Sequence, residues 1–352
     1  MLSFVYDALP SRVIFGVGCI EKLPEEIERL GASRALVLST PQQRELGAEI
    51  AARLGSHAAG LFDRAVMHVP IEIAHEAREE ARRLGADCCV AVGGGSTTGL
   101  AKAIALTSSL PILAAPTSYA GSEMTPIWGM TQDGRKTTGR DARVLPKTVL
   151  YDAALTISMP AGLSATSGIN SVAHCVEALY AENANPIISM IAEEGIRAMS
   201  ASLPLVVAEP ANLEARSRAL YGAWLGGVAL GSAGMALHHK LCHTLGGTFN
   251  LPHAETHTVI LPHAVAYNTP AAAEAMARVA HAIGADSAAK GLYDLAAKLG
   301  APVSLAAIGM KAEDLDQAAE LATANPYYNP RPITRDGIRG LLQNAFDGLR
   351  PA

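Results

Sequence analysis

Short apolar runs and amphipathic stretches alternate through the first half of the chain. RVIFGVG (12–18) reads as a strand broken by glycine, and IEKLPEEIERLG (20–31) as an amphipathic helix stopped at Gly31. RALVLST (34–40) and AGLFD (59–63) are short apolar runs of the kind buried parallel strands show. PIEIAHEAREEARRLGA (70–86) has helical periodicity, DCCVAVGGGS (87–96) is a strand running into a glycine loop, and TTGLAKAIALTSS (97–109) is helical again. PILAAPTS (111–118) is a further strand. Strands alternating with helices predict an open parallel sheet covered by helices, an α/β dinucleotide-binding arrangement.

The second half reads differently. From about Ser164 onward the pattern is nearly all helical, rich in Ala and Leu and punctuated by Gly and Pro. The boundary falls near Pro160. The expected organisation is an α/β N-terminal parallel-sheet domain over 1–160 and an all-helical C-terminal domain over 161–352, with the active site in the cleft between them.

Composition narrows the function classes. The 352 residues are 49% hydrophobic and 17% charged, a chain with ample core. The net charge is -5 with no basic run, which gives nucleic acid no electrostatic footprint. No uninterrupted apolar stretch is long enough to span a membrane, and the N-terminus lacks the charged and apolar regions of a secretory signal. The five cysteines are odd in number and form no CxxC pair. That usage fits a reduced cytoplasmic protein.

Two regions carry candidate chemistry. In Gly93-Gly94-Gly95-Ser96-Thr97-Thr98 a strand runs into a helix. Absent Cβ atoms let backbone approach a phosphate, and the N–H groups of a helix start favour negative charge. GGGS alone is also what a tight structural turn looks like, but its place after a buried strand favours phosphate. A second hydroxyl-rich loop follows, with Thr117, Ser118, Tyr119 and Ser122. The strand at 34–40 ends in Ser39-Thr40 with no carboxylate and with Arg44 nearby, so tolerance of both NADH and NADPH is expected.

The other region is histidine-rich. Six of the 11 histidines lie between His238 and His263. His239 and His243 are four apart on one predicted helix, which the reading stops at Gly246-Gly247; Asn170 and His174 are four apart on another. His253 follows just past Pro252. Clustered imidazoles at helical spacing point to acid–base chemistry or metal ligation, whereas isolated His57, His68, His75 and His281 read as ordinary surface or core residues.

The ordered set GGGSTTGLAKAIA (93–105), PTSYAGSEMTPIWG (116–129), GINSVAHCVEAL (168–179), GMALHHKLCHTLGG (234–247), LPHAETHTVILPH (251–263) and NPYYNPRPI (325–333) resembles the iron-type (group III) alcohol dehydrogenases across essentially the whole chain. The resemblance implies that family's two-domain architecture, shared with dehydroquinate synthase, a homodimer joined through the N-terminal strand region, and a nicotinamide cofactor with Lys136 near its ribose. Metal-using members present an Asp, then His four residues on, then two more His. Those positions here are Asn170, His174, His239 and His253, so the anionic ligand is an amide. Gly99 likewise stands where many members carry Asp. A hard divalent ion favours carboxylate, so the expectation is no required metal; any ion bound would use His174, His239 and His253.

Within the family the resemblance is to a branch that reduces a carbon–carbon double bond conjugated to a ketone on a small dicarboxylate. It implies His243 as general acid, His239 and His253 stabilising an enolate or a carboxylate, and Asn170 and His174 completing the polar wall. Arg331, Arg140 and Tyr327, with His253, are the expected substrate contacts; Lys240 is a weaker candidate because the helical wheel turns it about 100° from His239. The competing readings are a metal-dependent alcohol or polyol dehydrogenase, a lyase resembling dehydroquinate synthase, and a non-catalytic binding protein.

Overall fold

The computed structural model describes residues 4–6, 8, 9, 11–133, 135–325 and 327–352. It divides into two compact units, one built from residues 8–159 and the other chiefly from 160–352.

The first unit is a six-stranded parallel sheet. Its strands are β1 (Arg12–Phe15), β2 (Ala35–Leu38), β3 (Ala58–Phe62), β4 (Cys88–Gly93), β5 (Ile112–Pro116) and β8 (Thr148–Tyr151), in the order β1-β8-β5-β4-β2-β3. β6 (Ile127–Gln132) and β7 (Arg135–Arg140) form a separate antiparallel pair. Helices α1 (Leu23–Arg29), α2 (Arg44–Leu54), α3 (Ile71–Arg83) and α4 (Gly95–Ser108) connect the strands. Side chains alternate between the two faces, as a strand's period of two requires. Leu36, Leu38, Cys89 and Ala91 join one apolar cluster with residues of α3 and α4. Ala35, Val37, Cys88, Val90 and Val92 join another with residues of α1 and α2. Both faces are covered, which explains why these strands read as continuous apolar runs.

The sequence reading named no element between 127 and 151. No residue of the hairpin β6–β7 is fully buried, so it carries no burial periodicity. β8 is a four-residue, fully buried run like β2, but the reading absorbed it into the segment before the domain boundary.

The second unit is helical: α5 (Ala161–Leu179), α6 (Pro186–Ala208), α7 (Leu213–Ser232), α8 (Leu237–Phe249), α9 (His253–Asn268), α10 (Ala273–Ile283), α11 (Ala288–Lys298), α12 (Leu315–Thr323) and α13 (Arg335–Asp347). α5 packs against α6, α7 and α9, and α8 packs against α9. Close approach of α5 and α7 needs small residues. A Cβ on Gly226 would lie 2.2 Å from Ser171 Oγ, the residue next to Asn170. α8 does not stop at Gly246-Gly247 as expected. It runs through both to Phe249 and is ended by Asn250 at φ 54. Glycine inside a helix costs about 1 kcal/mol, and a left-handed residue is what ends one. Among the described residues no single helix is long and apolar enough to cross a membrane.

Candidate active site

The chain direction along the sheet reverses between β2 and β4: β2 leads outward to β3, and β4 leads the other way to β5. Such a switch point leaves a crevice at the carboxyl ends of the strands, where α/β sheets bind ligands. The expected cofactor residues converge there. Gly93 ends β4 at φ 145, and Gly95 opens α4. A Cβ on Gly93 would lie 2.7 Å from Thr97 Oγ1 and 2.8 Å from Gln43 Oε1; one on Gly94 would lie 2.7 Å from Ser118 Oγ. The three loops after β2, β4 and β5 therefore touch where only glycine fits. Gln43 Nε2 donates to Thr117 Oγ1 at 2.8 Å, Thr117 N–H to Gly93 O at 3.1 Å, and Thr97 Oγ1 to Gly94 O at 2.9 Å. Thr98 and Tyr119 are buried, Ser96 opens the first turn of α4, and Ser39 is buried with its hydroxyl unpartnered, beside Thr40 at the end of β2.

One part of the cofactor reading needs correcting. A carboxylate does stand near the end of β2: Asp63, just after β3, pairs with Arg44 at 3.1 Å. Arg44 is thus already engaged and is not a free partner for a 2′-phosphate. The acid was missed because it comes from the neighbouring strand rather than from β2 itself.

Sequence reasoning also missed Lys102. Its ammonium is fully buried and donates to Ser122 O (2.7 Å), Thr125 Oγ1 (2.9 Å) and Ile127 O (2.8 Å). It ties the Ser122 loop to α4. Burial pushes its pKa down to about 7 against the opposing pull of Glu123. Lys136 and Arg140 lie on β7, where the Lys136 stem crosses Gly129.

In the helical unit, α5, α8 and α9 bring the predicted histidines together. The His174 and His239 rings stack with centroids 5.2 Å apart, and His243 stands 6.1 Å from His239. His253, the first residue of α9, is 4.4 Å from His257, which is 4.9 Å from His239. Asn170, His174 and His239 are buried, His253 is half-buried, and His243 is exposed at the edge of the cluster. Asn170 Oδ1, His174 Nδ1 and His239 Nε2 are buried without hydrogen-bond partners. Unsatisfied polar atoms gathered in this way are those of a binding site.

Glu177 organises the cluster, and the sequence reading passed over it. Lying one turn beyond His174 on α5, it is fully buried. Its carboxylate accepts from the N–H groups of Ala236 (3.1 Å), His238 (2.8 Å) and His239 (3.4 Å) at the start of α8, a helix with no side-chain cap of its own. Positive partial charge at a helix N-terminus suits a carboxylate. The His239 Nδ1–H also donates to Glu177, at 2.6 Å, which fixes the tautomer and turns Nε2 toward the cluster.

His238 and His257 are further additions, with Nε2 of one and Nδ1 of the other 2.9 Å apart. Burial holds both imidazoles, and His174, well below the usual histidine range. With Cys242 they form a compact donor group, but the two nitrogens are already joined by the hydrogen bond between them.

Arg331 is held against Tyr267. Its guanidinium lies over the Tyr267 ring at 4.2 Å and donates to Tyr267 O at 2.9 Å. Tyr267 is nearly four turns beyond His253 on α9, about 21 Å along the axis. There Arg331 lines a cavity of about 510 Å³ with His263, Asn344 and Arg350. Tyr327, from the same NPYYNPRPI motif, lies instead beside Lys240, whose Nζ is 5.6 Å from its ring centroid.

The profile of the Fe-containing alcohol dehydrogenase family, C-terminal, matches residues 164–346, and that of the iron-containing alcohol dehydrogenase family matches 10–153. The chain belongs to the iron-containing alcohol dehydrogenase family. It is 60% identical to a maleylacetate reductase of Burkholderia cepacia, with both chains fully covered. Among solved structures it is similar to a putative alcohol dehydrogenase of Ralstonia eutropha JMP134 (60% identity, TM-score 0.99) and to a maleylacetate reductase of Agrobacterium tumefaciens (56% identity, TM-score 0.97), each covered completely.

The family name raises the question of iron. The positions at issue hold three neutral imidazoles and the Asn170 amide. The nearby carboxylate, Glu177, is engaged by three backbone N–H groups and His239 Nδ1. It supports a histidine from behind and does not supply the anionic oxygen a hard divalent ion favours. The donor set lacks the carboxylate that a hard divalent ion favours.

Proposed function

We infer that this chain reduces the ketone-conjugated carbon–carbon double bond of maleylacetate with NAD(P)H, giving 3-oxoadipate in the breakdown of aromatic compounds. Full-length identity of 60% and 58% to maleylacetate reductases carries the reading. It displaces the lyase and binding-protein alternatives, and the metal-dependent alcohol dehydrogenase reading lacks its anionic ligand.

The nicotinamide cofactor, when bound, supplies hydride to the carbon β to the ketone. Charge then spreads into an enolate, which hydrogen-bond donors stabilise without a Lewis acid. His239 and His253 face that charge. Glu177 holds the Nδ1–H of His239 and so turns Nε2 toward that charge. His243, reachable from solvent, delivers the proton to the α carbon as general acid. Asn170 and His174 close the polar wall. No step requires a metal.

The chain also works, on this proposal, as a cytoplasmic homodimer. Its five cysteines are free and buried, as suits a reducing compartment. β1 is an edge strand flanked by exposed Phe15 and Val17, an apolar edge that a second copy would cover. Both cofactors are accepted, with Asp63 beside Arg44 favouring NADH.

Product analysis tests the reaction. With deuterated cofactor, deuterium should appear on a methylene carbon of 3-oxoadipate, with the ketone retained. A hydroxy acid keeping its double bond would instead identify an alcohol dehydrogenase.

A further inference from the structure

A dianionic substrate needs a cationic receptor, and Arg331 is held by the ring and carbonyl of Tyr267. Lys240 follows His239 on α8, and its Nζ lies 5.6 Å from the centroid of the Tyr327 ring. Among the described residues no carboxylate pairs with Lys240, whose side chain is partly exposed. The cation–π contact holds a flexible stem in one place without neutralising its charge.

Tyr327 comes from the segment between α12 and α13. Its ring packs on the apolar cluster shared by α8, α9, α12 and α13, while its hydroxyl is buried with no hydrogen-bond partner. A buried, unused phenol donor is uncommon in a finished core, because such groups normally find a partner. A phenol and an ammonium are thus held side by side, one residue along α8 from His239. The helical wheel turns the Lys240 Cα–Cβ bond away from His239, and its four-carbon stem carries the ammonium over Tyr327.

We propose that Lys240 and Tyr327 together form the receptor for one carboxylate of the substrate, Lys240 supplying the charge and Tyr327 Oη a donated hydrogen bond. The pair makes the enzyme selective for dicarboxylates over neutral enones. The proposal rests on the reading that the substrate is an enone dicarboxylate such as maleylacetate.

The test begins with wild-type enzyme and maleylacetate; no turnover there would overturn the reaction reading rather than the receptor. With turnover established, Lys240→Met should raise KM about 10- to 100-fold, the usual weight of a charge-assisted hydrogen bond, with a smaller change in kcat. Tyr327→Phe, which removes only the hydroxyl, should raise KM about 3- to 10-fold. NADH affinity, read by fluorescence, should not move in either variant. Two mono-acid analogues, each lacking one carboxylate, complete the test. On one of them the Lys240→Met penalty should vanish. A penalty of the same size on both analogues, or an unchanged KM for maleylacetate in both variants, would overturn the proposal.

Discussion

At the scale of single residues the molecule is defined by histidines held neutral inside it. Burial takes His263 down to about 4 from an ordinary value of 6.5, and His238 and His257 go well below that ordinary value. In the unfolded chain these imidazoles take up protons near pH 6.5, while in the folded protein they do not. The unfolded state then binds more protons, so stability falls as pH drops through that window. From His263 alone the loss is about 3 kcal/mol by pH 4. The urea midpoint should therefore fall steadily from pH 7 to pH 4.5, and His263→Asn should flatten part of the slope. A midpoint independent of pH across this range would contradict the burial argument. Much of this was legible in advance: helical spacing alone paired Asn170 with His174 and His239 with His243. His257, four residues after His253, offered the same signal. Glu177 did not, because a Glu in a helical segment reads as a solvated charge until three N–H groups of another helix are seen to point at it.

At the scale of elements, the decisive contact is α5 capping α8. α8 begins at Leu237 without a side-chain cap, and Glu177 satisfies its first N–H groups from the neighbouring helix. The same carboxylate sets the His239 ring, so the capping contact and the chemistry share one residue. Glu177→Gln keeps the shape and one accepting oxygen but places an amide N–H against the His239 Nδ1–H. kcat should fall about 10- to 100-fold with KM changed little, the usual cost of losing such a supporting partner. Glu177→Ala should also lower the melting temperature, since it leaves buried N–H groups unpaired. An intact kcat in the Gln variant would remove Glu177 from the mechanism. Elements were easiest to foresee where burial left a mark, a helical period in α3 or a continuous apolar run in β2 and β4. The β6–β7 hairpin gave no period to read. The NPYYNPRPI motif looked like one site, yet Tyr327 lies beside Lys240 and Arg331 at the far end of α9.

At the scale of the whole molecule, two units divide the work. The parallel sheet places three loops at a switch point suited to a pyrophosphate, with glycine where any Cβ would collide. The helical unit gathers imidazoles, an amide and a supporting carboxylate, with polar atoms left unpaired for a substrate. The fold resembles enzymes named for iron, while the ligand positions present Asn170 in place of an acid. Family membership and site chemistry thus point in different directions on metal, and the account sides with the site. The measurement that bears most directly on this is NADH and NADPH consumption with maleylacetate, in parallel samples with and without exhaustive chelation. The account predicts equal turnover in both, with the histidines supplying protons and hydrogen bonds. Turnover lost on chelation and restored by zinc or iron would contradict it and make His174, His239 and His253 metal ligands.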